Sequence, residues 1–364
     1  MLKNKLKIGI DVDDVLYKCS EYVCECINRD YPSDNPIKTE DFIKWGYATN
    51  PLYTHMYEYF ESDDFTYNQP IYEGAKEFIN KLNEIAEVFI VTAVNYKVMS
   101  TRAKRLVEDF NIDPSHLIIG SRKDLVQLDI MLDDAAHNIL ESNARFPILF
   151  RRPWNKYLTG ILSVHSYNEV LEIVETIEKT NVEIHNPRLV CLVGPSGSGK
   201  TQMIKDVINN NLAKTIISTT TREKRIDEKD GEAYEFLSED EYLKLLNENA
   251  FLERSIYAHN HYGIRAARIK EFMSNHNHLG VISLDICGAM KLKSLYGDLI
   301  ATVFIKKDKR ELIKNILKTP TDIEDHTNRI LAIDTENKNR YLCDSVITNY
   351  SELIKLLNKY KKGL

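Results

Sequence analysis

No apolar run in this sequence approaches the ~20 residues a helix needs to cross a bilayer, so a membrane-spanning protein is not expected. The opening residues, M-L-K-N-K-L-K, lead straight into a strand-like segment and lack the apolar core of a secretion signal. Paired metal-ligand spacing is missing among the six cysteines. Cys24 and Cys26 form only a C-x-C within a helical pattern, which reads as scattered reduced thiols in a cytoplasmic setting. Positive charge is also short: a formal net charge of −6 argues against a chain that wraps nucleic acid and leaves only a local basic groove for such contact. Internal repeats and low-complexity tracts are absent, which excludes a repeat architecture. Oligomeric state stays open.

What is present is ordinary soluble composition, 43% hydrophobic and 28% charged, in 364 residues, too many for one usual core. Two α/β domains are expected, over 1–182 and 186–364, joined by a polar connector at Thr180–Pro187. In the first, Lys7–Ile10, Val88–Thr92, Leu117–Ile119, Ile130–Leu132 and Ile148–Phe150 read as short buried strands. Amphipathic segments at Ala75–Ile85 and Val98–Phe110 lie between them, and a helix at Tyr167–Lys179 closes the domain. That alternation predicts a parallel sheet covered by helices. Residues from about 18 to 72 lack a clear strand and read as an inserted helical cap. In the cap, Trp45, Tyr47, Tyr53 and Tyr57 either stack on a base or fill the cap's own core. The second domain restarts the alternation at Leu189. Ser238 and Glu241 have capping-box spacing for a helix to about Asn249, and Val281–Asp285, Ala301–Ile305 and Ser345–Thr348 supply later strands.

The first strand runs into Asp11 and Asp13, in I-G-I-D-V-D-D-V. Ligands of open parallel sheets bind beyond the carboxyl ends of strands, and residues two apart point the same way if strand geometry persists. A carboxylate there can attack phosphorus to form an acyl-phosphate, and a second can protonate the leaving oxygen and then activate water. Crowded carboxylates and phosphate need a cation, and hard oxygen ligands suit Mg²⁺. Thr92 ends another strand, Lys123 lies in S-R-K-D-L, and D-I-M-L-D-D places Asp133 and Asp134 at a third strand end. The order D-V-D, Thr, Lys, D-D resembles the haloacid dehalogenase (HAD) superfamily. The pattern R-K-D-L-V-Q-L-D-I-M-L-D-D-A-A-H-N-I is similar to its 5'(3')-deoxyribonucleotidase branch, over roughly residues 5 to 175. The resemblance implies a Rossmann-like sheet with Asp11 as nucleophile, Asp13 as general acid/base, and Thr92 and Lys123 as phosphate ligands. It also implies Mg²⁺ held by Asp11, the Asp13 carbonyl and a carboxylate of the Asp133/Asp134 pair.

The second domain opens on L-V-G-P-S-G-S-G-K-T, a G-x-x-x-x-G-K-[ST] motif between strand and helix. Backbone N–H groups of Gly194, Ser196, Gly197, Ser198 and Gly199 favour phosphate there; Lys200 reaches the outer phosphates of ATP and the Thr201 hydroxyl can ligate Mg²⁺. The block I-S-T-T-T-R-E-K-R-I-D-E-K-D-G-E-A-Y-E-F, then A-F-L-E-R and H-N-H-Y-G, closely resembles guanylate kinase, from about 188 to 362. The resemblance implies that Arg222, Arg225, Tyr234 and Tyr262 hold the acceptor phosphate and that Ser218 and Glu253 read guanine. It implies too that Asp285 is an acidic group near Mg²⁺ and that Asn349 touches the adenine of ATP. Three departures stand out. Ile264 replaces the usual Ser or Thr after Y-G, Ser283 replaces the first Asp of an L-D-I-D strand, and the lid segment K-N-I-L-K-T-P-T-D-I-E-D-H lacks two arginines, with Lys318 nearby and Arg329 further along.

These expectations combine into a cytoplasmic enzyme of nucleotide metabolism. One half hydrolyses nucleoside monophosphates; the other phosphorylates GMP or dGMP from ATP. Two alternatives remain at this point: a polynucleotide end-healing kinase-phosphatase, and a nucleotidase joined to a guanine-nucleotide-binding domain without kinase activity.

Overall fold

The structure, a computed structural model, describes residues 5–179, 184, 186–224, 228–231, 234–257, 260–274 and 278–361. The chain divides into a first unit running to residue 175 and a second from 176 onward, apart from 159–161, which group with the second. Among the described residues no helix is long and apolar enough to cross a membrane.

The first unit is built on β1 (Leu6–Ile10), with α1 (Cys19–Asp30), β2 (Phe42–Lys44), β3 (Tyr47–Ala48), α2 (Met56–Tyr59) and α3 (Asp63–Asn68) following. The chain then re-enters the sheet through α4 (Ala75–Ile85), β4 (Ala86–Thr92), α5 (Met99–Phe110), β5 (Leu117–Ile119), β6 (Ile130–Asp133), α6 (Ala136–Glu141), β7 (Phe146–Phe150), β8 (Ser163–Val164) and α7 (Tyr167–Lys179). The six strands lie in the order β5-β4-β1-β6-β7-β8, all parallel. Ile8, Ile10, Ile130 and Leu132 are fully buried, as expected where helices cover both faces of a parallel sheet. At Gly9 a Cβ would lie 2.6 Å from Leu128 Cδ1, so the central strand accepts only glycine without repacking.

The cap leaves the core at Tyr17 and returns at Ile71. Lys18 N–H donates to Pro70 O at 2.8 Å and Tyr72 N–H to Leu16 O at 2.9 Å, closing the neck of the insertion. It has its own core of Val23, Ile27, Ile37, Phe42 and Phe65. One correction to the sequence reading is the β2–β3 hairpin, which turns at Gly46 (φ +72°) and is too short to show alternation. Buried Arg105 on α5 fastens the end of α3: it donates to Thr66 O at 3.3 Å and Gln69 O at 2.8 Å, pairs with Asp109, and lies 4.4 Å from the Tyr17 ring centre.

The second unit runs β9 (Leu189–Val193), α8 (Lys200–Asn209), β10 (Lys214–Thr215), β11 (Ser218–Thr220), β12 (Tyr234–Phe236), α9 (Glu239–Asn247), β13 (Phe251–Tyr257) and β14 (Asn260–Arg265). Then come α10 (Ala266–Ser274), β15 (Gly280–Ser283), α11 (Ile286–Tyr296), β16 (Ile300–Ile305), α12 (Lys309–Leu317), α13 (Ile323–Lys338), β17 (Ser345–Ile347) and α14 (Tyr350–Lys361). A parallel sheet β10-β15-β9-β16-β17 forms the core, with Val190, Leu192, Val281, Val303 and Ile305 packed under Leu353 and Leu357. A second sheet, β12-β11-β14-β13, carries the candidate acceptor residues. Ser238 and Glu241 form the expected capping box. Asp285 does not end a strand: β15 stops at Ser283, and the Asp285 carboxylate instead caps α11 by accepting from Gly288 N–H at 2.8 Å. The connector expected at 180–187 falls largely outside the described residues.

Arg105→Leu would strand two buried carbonyls and the Asp109 carboxylate. The expected cost is about 2–4 kcal/mol of stability, read as a lower urea midpoint.

Candidate functional site

In the first unit four strand ends converge. Asp11 and Asp13 follow β1, Thr92 ends β4, and Asp133 and Asp134 close β6. Lys123, on the turn after β5, sends its ammonium to Asp11 Oδ1 and Asp133 Oδ2, each at 2.7 Å. Burial would lower its pKa, but the two carboxylates outweigh this and hold it above the ordinary lysine range. Burial pushes Asp11 up to about 7; Asp133 adds to the rise and Lys123 opposes it. Asp134 is raised well above its usual range, first by burial and then by Asp133.

Carboxylate oxygens of Asp11, Asp133 and Asp134 all lie within 4.8 Å of one another. Such a buried cluster of hard oxygens fits Mg²⁺. The two neighbours of the acidic pair differ. Asp133 is already committed to Lys123, Ala135 N–H at 2.8 Å and Asn138 Nδ2 at 3.0 Å, whereas Asp134 is oriented by Trp154 Nε1 at 2.8 Å. Asp134 is therefore the better ligand of the two. Thr92 Oγ1 is buried and has no partner among the described residues, as a group reserved for a ligand would be.

A cleft of about 240 Å³ opens beside Lys123 and Asn138, walled by Ser121, Arg122, His137 and Glu141. The Trp45 ring meets the His137 ring edge-on at 4.8 Å. Trp45, Tyr47 and Tyr57 are 60%, 49% and 58% exposed, so these three do not fill the cap's core; Tyr53 packs against it.

In the second unit, β9 delivers the chain into a turn that needs left-handed backbone at Gly197 (φ +80°) and Gly199 (φ +89°). A Cβ on Gly197 would lie 3.0 Å from Leu312 O, so α12 packs directly on the loop. Asn315, also on α12, donates to Gly197 O at 2.9 Å. Lys200 folds back to Gly194 O and Pro195 O, and burial lowers its pKa. Ser198 Oγ is buried without a partner among the described residues, and Thr201 is exposed at the start of α8. From α13, buried Arg329 reaches Ser196 Oγ at 3.5 Å, and Glu336 accepts from Ser196 N–H at 3.4 Å.

Arg222 Nη2 donates to both carboxylate oxygens of Glu228, each at 2.9 Å, and the guanidinium lies 5.7 Å from the Tyr234 ring centre, which meets Tyr262 at 6.0 Å. Ser218 starts β11 opposite Tyr234. Arg225 lies outside the described residues. Burial, then Asp285, pushes the Glu253 carboxyl well above its usual range. A Cβ on Gly288 would sit 2.5 Å from Glu253 Cγ, so a glycine at the start of α11 makes room for that acid. Asn349 accepts from Glu352 N–H, capping α14.

Comparison with known proteins finds a family similar to each unit. The family of 5' nucleotidase, deoxy (pyrimidine), cytosolic type C proteins matches residues 4–180, and the guanylate kinase family matches residues 186–360. The guanylate kinase of Mycoplasma genitalium is 30% identical over 202 residues, covering 54% of this chain and 81% of that protein. That of Chlorobaculum tepidum is 34% identical over 152 residues, 41% of this chain and 70% of the relative. The guanylate kinase of Prochlorococcus marinus strain MIT 9312 is 30% identical over 166 residues, 45% of this chain and 90% of the relative. The chain belongs to the guanylate kinase family, fused behind a HAD-type nucleotidase domain.

Sequence reasoning passed over several groups that the structure brings to these sites. In the nucleotidase domain they are Gln69, Arg102, Asn138 and Trp154; only Asn138 carried a signal, five residues past Asp133. In the guanylate kinase domain it is Glu336, seven residues after Arg329 on α13 and so on the same helix face.

Two predictions follow from unpaired and shifted groups. Thr92→Val removes a hydroxyl that has no partner among the described residues, so the melting temperature is expected to hold while any nucleotidase kcat/KM falls about 10–100-fold. Burial raises Glu336 from 4.5 to about 7, against the pull of Lys200. Between those pH values the folded domain keeps a proton that the unfolded chain releases, so its stability declines as pH rises from 4.5 to 7. Glu336→Gln should abolish that decline, which amounts to about 3 kcal/mol, in urea titrations of the nucleotide-free protein at pH 5 and pH 8.

Proposed function

We propose that the chain is a bifunctional cytoplasmic enzyme that dephosphorylates one class of nucleoside monophosphate and phosphorylates another. The observation that carries the first activity is the Asp11–Lys123–Asp133 triad beside the unpaired Thr92 hydroxyl. Asp11 attacks phosphorus, forming an acyl-phosphate as the bond to the nucleoside oxygen breaks, and Asp13 gives its proton to that oxygen. Asp13 then takes a proton from the water that attacks the acyl-phosphate, releasing phosphate and restoring Asp11. Lys123 and Thr92 hold the phosphate oxygens. A bound Mg²⁺, ligated by Asp11, Asp134 and the Asp13 carbonyl, would neutralise charge on the phosphate.

In the guanylate kinase domain, residues Gly194–Thr201 cradle ATP, with Thr201 toward its Mg²⁺ and Asn349 toward adenine. Arg222, Arg225, Tyr234 and Tyr262 take the phosphate of GMP or dGMP, which displaces Glu228 from Arg222. Ser218 and Glu253 read the guanine edge, with Asp285 behind Glu253. A carboxylate that accepts from guanine N1–H and the exocyclic amine rejects adenine, which would leave it unpaired. The lid segment favours a second reading, a domain that binds without turnover: Asn315 and Thr319 offer no charge, and the guanidinium that reaches Ser196 Oγ, at 3.5 Å, comes from Arg329 further along the chain.

Acting on one nucleotide, the two domains would only consume ATP. The family descriptions support a division instead, pyrimidine deoxynucleotides for the first domain and guanine nucleotides for the second. The test uses the Asp11→Asn chain, so that the acceptor survives, with ATP, Mg²⁺ and GMP or dGMP. Guanine-selective formation of ADP and GDP is expected; binding of both nucleotides without ADP production would establish the second reading. Equal hydrolysis of dGMP and pyrimidine deoxynucleoside monophosphates by the unaltered chain would overturn the division of labour.

A further inference from the structure

Arg102 is 2% exposed in the first turn of α5, and its Nη2 donates to Asp13 Oδ1 at 2.8 Å. Its Nε and Nη1 are also buried, yet donate to no atom among the described residues. The Tyr17 ring, 5.3 Å away, is the aromatic surface beside it. Arg105, one turn later, is the instructive contrast. That guanidinium is spent on two backbone carbonyls, Asp109 and the same tyrosine, the pattern of an arginine kept for the fold. A buried guanidinium with one carboxylate partner and idle N–H groups adds little to stability, because desolvation offsets most of the pairing. The arrangement makes sense through what it does to Asp13.

The Asp13 side chain is 29% exposed at the mouth of the site, and of its contacts with buried Arg102 and Gln69 the one with Arg102 is the shorter. Gln69 Nε2 approaches the same Oδ1 at 3.4 Å and donates to Cys19 Sγ at 3.1 Å. Gln69 immediately precedes the Pro70 that closes the neck of the cap. One oxygen of Asp13 is thus held from α5 and from the cap's returning strand. Swinging the carboxylate away would leave Arg102 buried and unpaired. A misplacement of about 1 Å at a reacting group can cost on the order of 100-fold in rate.

We propose that Arg102 is a positioning residue for the proton transfer that Asp13 makes to the leaving nucleoside oxygen. The inference rests on the nucleotidase reading above. It concerns only the first transfer, in which the bond from phosphorus to the nucleoside oxygen breaks, Asp11 takes the phosphoryl group and the Asp13 proton goes to the departing oxygen. A nucleoside alkoxide needs that proton. p-Nitrophenolate does not, because it leaves as a stable anion.

The test compares kcat/KM for a pyrimidine deoxynucleoside monophosphate and for p-nitrophenyl phosphate, in the full chain with Mg²⁺. This ratio reports the first transfer, so the later role of Asp13 as base does not enter. Arg102→Met is expected to lose about 100-fold on the nucleotide and under about threefold on p-nitrophenyl phosphate. Arg102→Lys keeps the cation in the buried site, guards against loss of the fold, and should recover about tenfold on the nucleotide. In an Asp13→Asn background, Arg102→Met should cost nothing further on the nucleotide. Equal loss on both substrates, or a full additional loss in the Asp13→Asn background, would overturn the inference and leave the nucleotidase reading intact. Failure of the unaltered chain to release phosphate from either substrate would defeat the reading itself.

Discussion

The Lys123 ammonium, 2.7 Å from both Asp11 and Asp133, is the contact on which the chemistry proposed for the first domain depends. Three buried carboxylates cannot share a space under 5 Å across without a cation, and in the protein alone that cation is lysine. The compensation is incomplete, which is why Asp11 still rises to about 7 and Asp134 is also raised well above its usual range. An unfinished charge balance of this kind would suit a metal ion, and with an ion bound the pocket would not repel phosphate. The fold supplies the positions at little cost, since parallel strands buried on both faces must put their polar residues at the ends.

The second domain meets the same problem with the opposite sign. Its phosphate loop gathers Lys200 and Arg329 where ATP would bring negative charge. Lys200 turns back onto the carbonyls of its own loop, and Glu336 accepts from the Ser196 N–H, a donor that could equally serve a phosphate oxygen. Arg222 is handled alike, with both oxygens of the Glu228 carboxylate on its Nη2. Lys200 and Arg222 therefore each have an internal carbonyl or anion to exchange for phosphate. Such exchange keeps buried charge paired in both states and makes affinity a difference between two good pairings rather than a gain over none.

How much of this could be read from the chain follows from distance along it. The strand ends bearing Asp11, Thr92, Asp133 and Asp134 were legible because doubly buried strands show as continuous apolar runs with the chemistry at their carboxyl ends. The phosphate loop and the Ser238 capping box were legible because both are local. Arg102 was not, since its meaning lies 89 positions away at Asp13, and neither was Glu336, 140 positions from Ser196. Such pairings depend on which helix face the tertiary packing turns inward. The β2–β3 hairpin was hidden by its shortness, and Asp285 was misplaced because a strand end and a helix cap carry the same residue types.

The paired acids of the guanylate kinase domain give the proposed base recognition a consequence of its own. Burial and Asp285 both disfavour charge on Glu253, so its carboxyl holds a proton more readily than a free glutamate does. A protonated carboxyl is a poor acceptor for guanine N1–H, because one of its oxygens carries a donor. Two guanine donors would instead stabilise the ionised form, so binding guanine and losing the proton are coupled. Adenine, with an acceptor at N1, would meet the protonated form without clash. Discrimination on this reading thus weakens as pH falls and more of Glu253 stays protonated. Gly288 serves that balance: only a residue without a Cβ lets Glu253 sit so deep beside the start of α11.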